Sequence, residues 1–184
     1  MSTDNPTTAA DITEQASNVL LIVDAETLLA RYPAPNGDPD TPFVIDDGFI
    51  FGFGVIPSAE PGGTNGSLAL PASAAPVFHL RGRTVGLYAE HSVVIYDLRI
   101  GEAGVLAPPQ LVAHSQRPLF SPNPQAPTEP LMTQADDHYW RCQPLSAGVE
   151  PCELSFMLVD SNCEALGYFK WLVELQVPGE GSAA

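Results

Sequence analysis

The chain has 184 residues, 22 of them acidic against 7 basic, for a formal net charge of −15 and a sequence pI near 4.3. Such a field repels phosphate backbones and anionic head groups, so nucleic acid and anionic membrane surfaces are excluded as partners, and with no run near the ~18 apolar residues of a membrane span, membrane insertion is not expected. Hydrophobic residues make up 45% and charged residues 16%, which excludes a wholly disordered chain, while 19 Pro and 15 Gly predict many turns and little long helix.

Residues 1–17 are small and polar, with Asp4, Asp11 and Glu14 and no basic residue. They lack the positive start and apolar stretch of a secretory signal and read as a disordered tail, which points to the cytoplasm or to release by a route needing no signal. Asn18 to Val23 is a short apolar run, the mark of a buried strand. Asp24 is placed to cap a brief helix through Arg31, with Leu28 and Tyr32 on one face. Pro33, Pro35, Gly37 and Pro39 then enforce a loop to about Pro42. Next, Phe49, Phe51, Phe53 and Val55 alternate with Ile50, Gly52, Gly54 and Ile56, which predicts a strand whose aromatic face is core by default, with the lining of a ligand groove as the alternative.

Pro61–Gly66 reads as a turn and Ser67–Leu70 as a short strand. Arg83–Ala89 and Ser92–Ile100 predict a hairpin, with Val94, Tyr96, Leu98 and Ile100 on one face. Seven prolines between Pro108 and Pro130 argue against a regular ladder. That stretch should wrap the surface, with a short edge pairing near Leu119–Phe120. Asp137–Gln143, Glu153–Val159 and Tyr168–Val177 complete the strands, and residues 178–184 form a second short tail. Short strands, one helix and irregular connections predict an all-β fold: a single-domain two-sheet antiparallel β-sandwich, jelly-roll-like, over residues 18–177.

No catalytic constellation stands out, and no cofactor or metal is expected. Asp136-Asp137-His138 reads as a polar strand start, because neighbours on a strand point to opposite faces and cannot converge on one ion. Asp46-Asp47-Gly48 reads as a turn, and Asp38-Pro39-Asp40 lacks the later acidic ligand of a calcium loop. His79, His91, His114 and His138 meet no serine in a nucleophile elbow, and Phe51-Gly52-Phe53-Gly54 lacks the third glycine of a phosphate cradle. Cys142, Cys152 and Cys163 leave two readings open: three reduced thiols, or a Cys142–Cys152 pair across a hairpin with Cys163 left over. Their spacing does not fit zinc. In Tyr139-Trp140 and Tyr168-Phe169 one ring of each pair must face outward. Tyr139, Trp140, Tyr168 and Trp171 are the candidate ligand or interface residues.

Taken together, Val19-Leu20-Leu21-Ile22-Val23-Asp24-Ala25-Glu26, Tyr32-Pro33-Ala34-Pro35, Asp38-Pro39, the apolar strand Ser92–Leu98 with its Tyr96, and Gly167-Tyr168-Phe169-Lys170-Trp171 resemble the AidA/PixA family of bacterial inclusion-body proteins. Where that family continues Trp-Asp-Pro, this chain has Trp171-Leu172-Val173. PixA-type relatives are methionine-rich, whereas this chain has three Met, so it is more similar to the AidA-like branch. The resemblance implies a β-sandwich, an association with quorum-sensing control and, in some bacteria, with virulence toward nematodes; it brings no catalytic residues. The expected function is therefore a non-enzymatic, self-associating accessory protein, with a homo-oligomer as the partner state. The alternative is a carbohydrate- or small-ligand-binding module.

Overall fold

The computed structural model describes residues 15–57, 66–71, 73–86 and 90–179. The N-terminal tail through residue 14, the turn at 61–65, the far end of the predicted hairpin at 87–89 and the tail beyond 179 lie outside the described residues. Eleven strands are present among those described: β1 Ala16–Val23, β2 Phe43–Ile45, β3 Ile50–Phe53, β4 Ile56–Pro57, β5 Gly66–Ala69, β6 Val77–Thr84, β7 His91–Ile100, β8 Gln110–Ser121, β9 Leu131–Cys142, β10 Gly148–Asp160 and β11 Ala165–Val177. One helix, α1 Ala25–Arg31, follows β1, and the Asp24 carboxylate caps it by accepting from the Thr27 amide at 3.0 Å.

The strands form two packed sheets, confirming the all-β two-sheet class. The first runs β3-β1-β6-β9-β8, and the second runs β4-β5-β11-β10-β7 with β2 also paired to β11. The sheets are mixed rather than wholly antiparallel: β1 lies parallel to β6, and β2 and β5 parallel to β11. Long connections through the other sheet bring these strands back in the same direction, which a tight hairpin cannot do. Val19, Leu21, Phe78, Leu80, Ile95, Leu154, Phe156, Leu158, Phe169, Trp171 and Val173 fill the space between the sheets. Phe156 and Phe169 stack at its centre, 5.5 Å apart. Each such side chain contributes about 1.5–3 kcal/mol by leaving water.

Four further expectations need correction. Phe51 and Phe53 face solvent, because Ile50 and Gly52 take the inner side of β3. A Cβ on Gly52 would sit 2.8 Å from Leu68 Cδ2 of the facing sheet, so only a bare backbone permits that approach. Secondly, β6 and β7 are not a hairpin: β6 is interior in the first sheet and β7 is an edge of the second. The chain crosses between layers there, with the Thr84 hydroxyl donating to the His91 carbonyl at 2.7 Å. Thirdly, the inward face of β7 changes at a bulge. Register runs Phe156 to Ile95 and then Ser155 to Asp97, so Tyr96 is the extra residue. Val93 and Ile95 are inside before it, and Leu98 and Ile100 pack on the core after it.

Finally, the proline-rich stretch contains a 12-residue strand, β8, paired with β9. Only Pro118 lies within it, and at a sheet edge a missing N–H costs no ladder bond. The pairing near Leu119–Phe120 is part of this longer ladder.

Candidate functional site

Pro33 and Pro35 end α1 and launch a strap, residues 33–42, over the outer face of the second sheet. Its own turn is tied by Asp38, whose carboxylate accepts from the Asp40 amide at 3.0 Å and the Thr41 hydroxyl at 3.2 Å. Asn36 holds the strap to β11, its carbonyl accepting from the Tyr168 amide at 3.0 Å. Beside that bond Pro35 lies on Gly167, where a Cβ would collide with the proline ring. From β7 the Tyr96 hydroxyl donates to the Pro39 carbonyl at 3.0 Å, and its ring meets Tyr168 edge-on at 5.8 Å. Burial pushes the Tyr96 phenol above its ordinary pKa, so at neutral pH it remains a donor.

Under the strap opens a groove of about 370 Å³, lined by Pro39, Asp40, Pro42, Tyr96, Asp97, Arg99, Ser155 and Lys170. Three of its four charges sit in ion pairs. Arg99 Nε meets Asp97 Oδ2 at 2.8 Å, and Lys170 Nζ meets Glu153 Oε2 at 2.9 Å. Ser155 is buried and hydrogen-bonds to Tyr96.

The outer face of the first sheet carries a different cluster. Tyr139 stacks on His79 at 4.0 Å, lies beneath the Arg81 guanidinium at 4.6 Å, and its hydroxyl is 3.2 Å from His114 Nε2. Arg81 is tied down by three hydrogen bonds: two of its nitrogens reach the Asp137 carboxylate, and a third donates to Asn18 at 2.8 Å. That hydrogen bonding, with the charges of Arg81 and Arg83, holds Asp137 below the usual carboxylate range. Asp136 accepts from the Gln116 amide at the bulge of β8. Asp136-Asp137-His138 thus lies within β9 rather than at a strand start, with its two carboxylates committed to protein partners.

All three cysteines are free thiols. Burial pushes Cys142 and Cys152 up to about 12, leaving both neutral at ordinary pH. Among the described residues, no group of three or more His, Cys, Asp or Glu is placed to hold a metal, and no helix is long and apolar enough to cross a membrane.

The family model described as PixA, inclusion body protein, matches residues 15–177. The chain belongs to the PixA family of inclusion body proteins. A solved member, the crystal structure of an inclusion body protein from Burkholderia cenocepacia J2315, shares the fold. It has a TM-score of 0.68 and 21% sequence identity, over 91% of this chain and 99% of that one. No curated protein matches the chain.

Three separated stretches that carried the PixA resemblance meet at the groove: Tyr32–Pro39 supplies the strap, Tyr96 its tether and Gly167-Tyr168 its seat. The four candidate aromatics divide. Tyr139 and Tyr168 lie on opposite outer faces, Tyr168 beside the groove and Tyr139 in the arginine cluster. Trp140 and Trp171 are inside, correcting their selection as surface rings. The Trp140 indole crosses the core to donate to the Ile95 carbonyl at 3.1 Å. The lining residues Asp97, Arg99, Ser155 and Lys170 were missed. They come from three strands, and their alternating charges look like any solvated sheet face. Asp40, in the Asp-Pro-Asp run, and Tyr96, in its motif, carried the clearest signal.

Proposed function

We propose that this PixA-family chain works by associating with copies of itself, as a non-enzymatic accessory protein of the cytoplasm, through the arm formed by β8 and β9. The observation that carries this reading is the apolar surface near the arm's tip. Phe120 (63% exposed) faces Met132 (66%) in register, and Leu119 and Leu131 are exposed on the ribbon's other face. The arm's root is held by β6, which pairs with β9 only at Trp140–Cys142. From His114 to Ser121, β8 has β9 as its only partner among the described residues. A two-stranded ribbon is marginal by itself in water, so a surface that covers these side chains would stabilise it. At the opposite edge of the same sheet, β3 exposes Phe51 and Phe53. An arm of one copy set against that edge of the next is a head-to-tail contact that does not close, the geometry of an extended assembly. The resemblance to the AidA-like branch supports quorum-sensing control, and virulence toward nematodes, as the physiological setting.

The net charge of −15 opposes assembly at neutral pH. Sedimentation from about pH 8 down to about pH 4.5 should therefore show growth as the pI is approached or as salt rises, and Phe120→Asp should abolish it. An unchanging monomer across that range overturns the reading.

A further inference from the structure

We propose that the groove beneath the strap is a binding site for a neutral, hydroxyl-rich ligand, a saccharide. The argument is one of matched chemistry. The lining sets carboxylates (Asp40, Asp97) against cations (Arg99, Lys170), with the Ser155 hydroxyl and the Tyr96 phenol between them. An anion meets the two carboxylates, and a cation meets the guanidinium and the ammonium. An apolar molecule would strip water from all four charges, at a cost that nothing returns. A sugar hydroxyl is both donor and acceptor, so it serves either sign without carrying charge into the site.

Size and rigidity point the same way. About 370 Å³ lies within the range of small-ligand pockets, roughly 300–1,000 Å³. Two of the polar groups are already held: Lys170 by Glu153, and Tyr96 between the Pro39 carbonyl and buried Ser155. The roof is pinned to β11 by the Asn36–Tyr168 hydrogen bond. Little ordering therefore remains to be done when a ligand arrives, which is what makes binding by a few hydrogen bonds affordable. The site lies on the second sheet, whereas the arm belongs to the first, so this inference stands independently of self-association.

The test is a panel of neutral mono- and oligosaccharides titrated into the full chain by calorimetry and by NMR. At least one sugar should bind, with a Kd between about 1 μM and a few mM. Asp97→Ala and Arg99→Ala should each weaken it tenfold or more, while Tyr139→Phe on the opposite face and Phe120→Asp in the arm leave it unchanged. Asp40→Ala, on the exposed strap and clear of the core, gives the same reading should a strand variant fail to fold. A blank panel, or sugar binding that survives all three lining substitutions, overturns the proposal. Binding only of charged amino acids or of phosphate overturns it as well.

Discussion

β8 and β11 are nearly equal in length, 12 and 13 residues, and both carry large apolar side chains, yet they end in opposite environments. In β11 Phe169, Trp171, Val173 and Leu175 are all buried, because other strands flank it on both edges and the first sheet covers its inner face. In β8 no residue is buried, because it is an edge strand that runs on past the body. A strand's place in the sheet decides whether its apolar side chains become core or contact surface.

The sharpest way to break that contrast is truncation of one large ring in each strand. Phe169→Ala should cost about 3–5 kcal/mol, whereas Phe120→Ala should stay within about 0.5 kcal/mol in the dissociated protein, both read by urea unfolding. Equal losses would mean that the arm is folded against its own body. A smaller effect is expected where the strap sits on β11. Gly167→Ala forces Pro35 away and should cost about 1–3 kcal/mol, with lost amide protection at Tyr168 in hydrogen exchange. The least is expected at the root of the arm. Asp137→Asn should change stability by no more than about 1 kcal/mol, since the Arg81 pair is partly exposed. Its sign is fixed by linkage. The folded carboxyl titrates below its ordinary value of 3.8, so its contribution is present above that pH and fades as pH falls through the folded value. The acid-side difference between wild type and variant should therefore vanish at the lowest pH.

Only the β11 side of this contrast was legible in the sequence, because the prolines around β8 hid its ladder. The apolar run at 18–23, the Asp24 cap and the alternation from Phe169 to Val177 each specify their element locally. What escaped depended on the other layer. The inner side of β3 follows from Gly52 meeting Leu68, and the parting of β6 from β7 follows from which sheet each joins. Trp140 illustrates the same point at the level of function. Beside Tyr139 its sequence position shows only that one ring must be outside, and the choice is made by the Ile95 carbonyl across the core. The groove was half legible. Its strap and tyrosine belong to recognisable motifs, whereas Asp97, Arg99, Ser155 and Lys170 become neighbours only when β7, β10 and β11 align.

The place of β11 also sets a schedule for biosynthesis. Strands β2, β5 and β7 leave the ribosome well before β10 and β11, the strands with which they form ladders. Until those late segments emerge, the second sheet has no middle, and its early members wait with open hydrogen-bonding edges. The nascent polypeptide is thus most exposed to wrong partners just before it is finished, and crowding on polysomes becomes a hazard this topology must survive.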